Sequence, residues 1–176
     1  IENLLHKKYF VNKTVQERAK KIKMLLTDCD GVLTDGGMYY SEYGDELKKF
    51  NTKDGMAVAK LREHGIKFGI ITGENIQIVH RRAEKLKADV CYIGATDKAS
   101  VLDEICNKFQ LSYNEIAYIG DDLNDLEILK RVGLPCSVAS ATQLAKQAAI
   151  YITQAKGGEG ALREVAEVIL NAKNCL

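Results

Sequence analysis

The chain has 176 residues, 46% hydrophobic and 28% charged, with a net charge of +1. That is enough for one domain with a sizeable core and too little for two. The charge balance gives no reason to expect nucleic acid or an anionic membrane as partner, and no apolar run approaches the ~20 residues of a membrane span.

The first residues, Ile1 to Lys8, lack the apolar centre of a secretory signal. The chain opens on Ile1 and not on a methionine, so excision from something longer, such as a fusion, is one reading. Five cysteines (Cys29, Cys91, Cys106, Cys136, Cys175) are scattered and never form a C-x-x-C pair. That argues against a zinc site or a disulfide framework and for a reducing, cytoplasmic setting.

Residues 1–21 read as a polar leader or linker helix, and residues 22–172 as the domain. Thr14-Val15-Gln16-Glu17 fits a capping box, and Tyr9-Phe10-Val11 could pack onto the domain. The first strand is expected over Ile22 to Thr27. A β-hairpin follows, about Met38 to Phe50, turning at Tyr43-Gly44-Asp45. Asp54-Gly55 opens a helix through Arg62 with Met56, Val58, Ala59 and Leu61 on its buried side, and Gly65 stops it. Ile66 to Ile71 is a second strand ending on Thr72-Gly73, and Asn75 to Lys87 the next helix. Val90 to Ile93 is a strand. Thr96 or Asp97 caps a helix that opens on Lys98 and runs to Phe109. Ile116 to Gly120 is a strand running into Asp121-Asp122-Leu123-Asn124-Asp125, and Leu126 to Val132 is helix. Ser137-Val138 and Ile150 to Ile152 are short late strands around a helix from Gln143 to Ala148. A last helix reaches about Ala172.

Strands alternating with helices predict an α/β fold with a mainly parallel sheet, whose ligands bind beyond the carboxyl ends of the strands. Asp28 and Asp30 stand at one such end. Residues two apart on an extended chain point the same way, and two carboxylates held together disfavour joint ionisation unless a cation offsets them. Thr72 and Gly73, and Asp121 and Asp122, stand at two further ends, and Lys98 opens a helix within reach. Singly, each has a plain structural explanation: an Asp-rich turn, a strand-end hydroxyl, a solvated lysine, a capped helix start. Together they suit phosphoryl transfer, which needs positioned charge more than unusual groups. Asp28 would attack phosphorus, and Asp30 would protonate the departing alkoxide and then activate water. Mg²⁺ would be held by Asp28, the carbonyl of Asp30 and Asp121, with Asp122 direct or through water. Thr72, the backbone near Gly73 and Lys98 would hold phosphate oxygens, while Asp125 orients Lys98 or the loop that includes Asn124.

Asp28-Cys29-Asp30-Gly31-Val32-Leu33-Thr34, Thr72-Gly73, Lys98 and Gly120-Asp121-Asp122-Leu123-Asn124-Asp125 resemble the four motifs of haloacid dehalogenase superfamily phosphatases, over residues 22 to 170. There is no room for a large cap domain, which resembles the capless octulosonate-8-phosphate phosphatase subclass. That resemblance implies a Rossmann-like fold and a homotetramer in which a neighbouring subunit helps close the active site and the hairpin takes part in assembly. Lys156-Gly157-Gly158-Glu159-Gly160-Ala161-Leu162-Arg163-Glu164 resembles the subclass's C-terminal signature.

The resemblance implies a keto sugar acid whose carboxylate Arg81 and Arg82 could pair with, although a solvated basic face beside Glu74 and Glu84 explains them equally well. Glu74 and Lys85 resemble the branch acting on nine-carbon keto sugar phosphates, of the KDN or sialic acid type, where eight-carbon enzymes have Arg at the position of Glu74. A nonulosonate 9-phosphate is therefore the expected substrate, with 3-deoxy-D-manno-octulosonate (KDO) 8-phosphate of lipopolysaccharide synthesis the alternative. A similar domain follows some acylneuraminate cytidylyltransferases, so a non-catalytic tetramerisation module is a further reading. A signalling receiver also uses an Asp phosphoacceptor, a Thr, a Lys and an acidic pair, but it needs no acid two residues after the acceptor.

Overall fold

A computed structural model describes residues 11–175. Val11 packs on the core, while Tyr9 and Phe10 lie outside the described residues.

Six parallel strands form the central sheet: β1 (Met24–Thr27), β4 (Lys67–Ile71), β5 (Val90–Tyr92), β6 (Ile116–Gly120), β7 (Leu134–Ser137) and β8 (Tyr151–Ile152), in the order β5-β4-β1-β6-β7-β8. All four residues of β1 and all five of β6 are buried, as a parallel strand covered on both faces requires. β2 (Tyr39–Ser41) and β3 (Gly44–Leu47) make a separate antiparallel hairpin between β1 and α2.

The helices are α1 (Lys13–Ala19), α2 (Thr52–Glu63), α3 (Gln77–Leu86), α4 (Lys98–Phe109), α5 (Leu126–Arg131), α6 (Gln143–Ala148) and α7 (Ala161–Ala172). α7 packs against α2 and α1, and α5 packs against α4 and α6. This is the Rossmann-like arrangement expected, a parallel sheet flanked by helices with the hairpin as its small insertion.

Three local expectations need correction. Asn12 caps α1, its side chain accepting from Val15 N at 2.9 Å, in place of a box at Thr14; Asn caps at least as well as Thr. α2 starts two residues before Asp54, on an Asn51 cap. That rotates its buried face onto Asp54, Ala57, Val58 and Leu61 and leaves Met56 58% exposed. β7 runs over Leu134–Ser137, earlier than Ser137-Val138, because its ladder to β6 begins at Leu134 opposite Ala117.

β1 lies between β4 and β6 in register, Thr27 opposite Ile70 and Ile119. The three strands therefore end level, and their following loops share one edge. Asp28 N donates to Ile119 O at 2.9 Å, which carries the ladder one residue into the first of those loops.

Candidate active site

Asp28 follows β1 and is buried. Its Oδ1 accepts from Cys29 N at 2.6 Å, and its Oδ2 pairs with Lys98 Nζ at 2.9 Å. Lys98 is the first residue of α4, whose Asp97 cap accepts from Ala99 N and Ser100 N. Its ammonium also meets Asp125 Oδ1 at 2.7 Å and stands 3.4 Å from the Tyr118 hydroxyl. Burial alone would lower the Lys98 pKa, but the two carboxylates hold it above its usual value.

Asp125 uses both oxygens. Oδ1 takes Lys98 and the Tyr118 hydroxyl (2.6 Å), and Oδ2 takes Asp121 N (2.9 Å) and Asp122 N (3.3 Å). One buried carboxylate thus ties the cation to the acidic loop. The Tyr118 hydroxyl is pushed well above its ordinary pKa by burial and by Asp125, so it stays a donor.

Carboxylate oxygens of Asp28, Asp121 and Asp125 lie within 4.8 Å of one another. Burial, then the neighbouring Asp125, raises Asp28 to about 7. Burial, then Asp28 and Asp125, raises Asp121 to about 7 as well. An all-oxygen donor set that holds surplus protons fits a hard divalent cation such as Mg²⁺, which would displace them. Asp125 is saturated by its four donors, which leaves Asp28 and Asp121 as the carboxylates with capacity for a metal. Asp122 is exposed, accepts from Leu123 N at 2.7 Å and stands outside this cluster.

Asp30 reaches the same edge. A pocket of about 170 Å³ is lined by Asp28, Asp30, Thr72, Gly73, Glu74 and Asn124, among others. Thr72 is buried, and its Oγ1 accepts from Glu74 N at 3.3 Å. Gly31 between the pair and the loop has φ +77°, and a Cβ there would sit 2.0 Å from Asp121 Oδ2. Only glycine allows that conformation and that approach together.

Arg81, Arg82 and Lys85 are not in this pocket. They line a separate groove of about 440 Å³ with Leu47, Lys48 and Phe50. The Arg82 guanidinium donates to Asn51 O at 2.8 Å and lies over the Phe50 ring.

A family profile described as haloacid dehalogenase-like hydrolase matches residues 92–165. The 3-deoxy-D-manno-octulosonate 8-phosphate phosphatase of Yersinia pestis is 40% identical over 162 residues, 92% of this chain and 87% of that protein. The chain belongs to the haloacid dehalogenase superfamily. Within it the chain falls among capless phosphoric monoester hydrolases, in the octulosonate-8-phosphate phosphatase family. The Yersinia pestis crystal structure of that name superposes with a TM-score of 0.92 at 40% identity, covering 94% of this chain and 90% of that one. A Moraxella catarrhalis octulosonate 8-phosphate phosphatase, solved in complex with magnesium ion, phosphate ion and KDO, superposes with a TM-score of 0.88 at 38% identity, covering 91% of this chain and 92% of that one.

Sequence reasoning gave no role to three residues at this haloacid dehalogenase edge, although Thr34 closes the first motif. Lys48 pairs with Asp30 Oδ1; a Lys-Lys pair after a hairpin strand reads as surface. Thr34 Oγ1 accepts from Gly31 N at 3.3 Å and Gly36 N at 3.2 Å, bracing the loop. Tyr118 could have been flagged, because a tyrosine in an otherwise apolar buried strand needs a partner for its hydroxyl.

Proposed function

We propose that this protein is a Mg²⁺-dependent phosphatase that hydrolyses a phosphorylated 3-deoxy-2-keto sugar acid through an aspartyl-phosphate on Asp28. The observation that carries it is the buried Asp28–Lys98–Asp125 chain set against Asp121 at the strand ends. A nucleophile, a cation for phosphate oxygens and a metal-ligand set converge there on one point.

Asp28 attacks phosphorus, and Asp30 gives its proton to the ester oxygen as the P–O bond breaks. Asp30 then takes a proton from the water that hydrolyses the acyl phosphate. Lys98, Thr72 and the backbone at Gly73 hold the phosphate oxygens. Asp28, the Asp30 carbonyl and Asp121 would hold Mg²⁺, with Asp122 reaching it through water. The metal supplies charge neutralisation for the incoming phosphate. Asp125 keeps Lys98 and the loop through Asn124 in place.

The family relatives favour the eight-carbon substrate, KDO 8-phosphate, over the nonulosonate 9-phosphate expected from the sequence. The nine-carbon reading keeps one supporting observation: Glu74 lines the pocket that Asp28 and Asp30 line. Arg81, Arg82 and Lys85 stand away from their own chain's pocket, which suits a homotetramer where they approach a neighbour's substrate carboxylate. Residues 22–172 are read as the phosphatase domain with 1–21 leading into it, working in the cytoplasm. Among the described residues no helix is long and apolar enough to cross a membrane.

The test is phosphate release, with and without Mg²⁺, from the eight-carbon 8-phosphate and a nine-carbon 9-phosphate, with Asp28→Asn as control. Mg²⁺-dependent release that Asp28→Asn abolishes is expected, faster from the eight-carbon ester. Faster release from the nine-carbon ester reverses the substrate assignment and keeps the mechanism. No release from either favours the non-catalytic tetramerisation module.

A further inference from the structure

Lys48 immediately follows β3, at the base of a hairpin whose large apolar side chains Tyr39, Tyr40 and Leu47 face out: Tyr39 is 49% exposed and Tyr40 and Leu47 66%. Its own side chain is only 5% exposed. The next residue, Lys49, is the ordinary case, with 61% exposure and a pair to Asp35 at 3.1 Å. Holding a lysine stem rigid costs rotamer freedom, and taking the ammonium out of water costs solvation. A hairpin needs neither for its own stability.

The partner is the Asp30 carboxylate, and only one of its oxygens is engaged. Lys48 Nζ pairs with Oδ1, and the Thr34 hydroxyl approaches the same atom at 3.4 Å. Oδ2 is buried and has no hydrogen-bond partner among the described residues. The Asp30–Lys48 pair also sits where the catalytic pocket and the basic groove meet, since Asp30 lines the first and Lys48 the second.

We propose that Lys48 is a positioning residue for Asp30: it fixes Oδ1, so that Oδ2 is the oxygen that delivers a proton to the leaving group. The inference rests on the phosphatase reading. Its mechanical content is simple. An untethered carboxyl can rotate about its χ angles and present either oxygen in many directions, and general acid catalysis pays only for the geometry that reaches the ester oxygen. With Oδ1 pinned from the hairpin and from Thr34, one rotamer remains.

The consequence is a dependence on the leaving group. A sugar alkoxide needs the proton that Asp30 gives, whereas p-nitrophenolate departs without it. A tether that merely held the hairpin in place would affect both substrates equally.

The experiment measures kcat and KM of the parent, Lys48→Met, Lys48→Gln and Lys48→Arg on a sugar-acid phosphate and on p-nitrophenyl phosphate, with Mg²⁺ present. Since general acid catalysis contributes roughly 10²–10⁴-fold, Lys48→Met is expected to lose about 10- to 100-fold in kcat/KM on the sugar ester. The p-nitrophenyl ester should stay within about 3-fold in kcat/KM, which ends at departure of the leaving group and excludes the later water attack that both esters share. Lys48→Arg should recover most of the loss, and Lys48→Gln, which keeps a donor, should show a smaller loss of the same selectivity. Parallel losses of kcat/KM on both esters, no loss, or an arginine variant as slow as the methionine variant would overturn the proposal. If Lys48→Met does not fold, the glutamine and arginine variants decide by the same ratio. A parent enzyme inactive on both esters refutes the phosphatase reading itself, which is a separate outcome.

Discussion

Asp125→Asn puts the heaviest load on a single carboxylate. Asp125 is fully buried and accepts from four donors: Lys98 Nζ, the Tyr118 hydroxyl, Asp121 N and Asp122 N, at 2.7, 2.6, 2.9 and 3.3 Å. An amide has one acceptor oxygen and one NH₂. Whichever way it faces, one pair of donors meets another donor. Two unsatisfied buried donors cost about 1–3 kcal/mol each, and Lys98 keeps its second partner Asp28 at 2.9 Å. The expected loss is therefore ~4 kcal/mol, at the level of a broken buried ion pair. With a urea slope of ~2 kcal/mol/M for a domain of this size, the unfolding midpoint should fall by roughly 2 M. Asp122→Asn is the internal control: that exposed carboxylate is a cap, accepting from Leu123 N and from Asp125 N, and Asn caps equally well, so its midpoint should stay near the parent's. A shift below about 0.5 M for Asp125→Asn would refute the claim that this side chain unites the site.

Mg²⁺ affinity should fall as pH drops through about 7, because Asp28 and Asp121 then hold protons that the metal must displace; calorimetric titration at pH 6 and pH 8 should show a loss of up to ~10-fold per unit per proton displaced, and a flat profile would refute it. Asp54 is raised from 3.8 to about 6 by burial, against the Arg163 N–H and nearby Arg82 that lower it. Its folded value lies above its unfolded one, so the folded state is penalised as pH rises from ~4 through ~6, by up to ~3 kcal/mol. Asp54→Asn should remove that slope from the stability profile while its oxygen still accepts from Arg163 N, and an unchanged slope would count against it. A Cβ on Gly157 would fall 1.8 Å from Gly31 O, whereas one at Gly65 (φ +72°) meets nothing within 4 Å. Gly157→Ala should therefore slow turnover at least ~10-fold in a steady-state assay, and Gly65→Ala should lose only stability, of order 1 kcal/mol.

Most of the sheet was readable from the sequence because buried parallel strands are written as short apolar, β-prone runs. β6 and α6 fall on the expected residues, Ile116–Gly120 and Gln143–Ala148. The motif residues were readable because strand ends carry the polar groups of such folds. What stayed hidden depends on tertiary contact. Asp54 looks like an exposed helix-start acid, and only its bond from Arg163 N, 109 residues on, explains its burial. Asp122 and Asp125 are chemically alike on paper, yet one is exposed and the other is the buried hub. Lys48 carries no local signal, because its partner lies 18 residues back on another element.

The loop after β1 is closed by segments made much later in the chain. Asp28 N is bonded to Ile119 O, and Gly158 N to Val32 O. At ~5–20 residues per second of synthesis, the stretch between Asp28 and Gly158 takes on the order of ten seconds to emerge. During that interval the loop has the local brace of Thr34 but not yet both of its closing bonds, to Ile119 and Gly158. A product ending before Gly157 would carry the nucleophile on a loop that lacks its closing bond from Gly158 N to Val32 O.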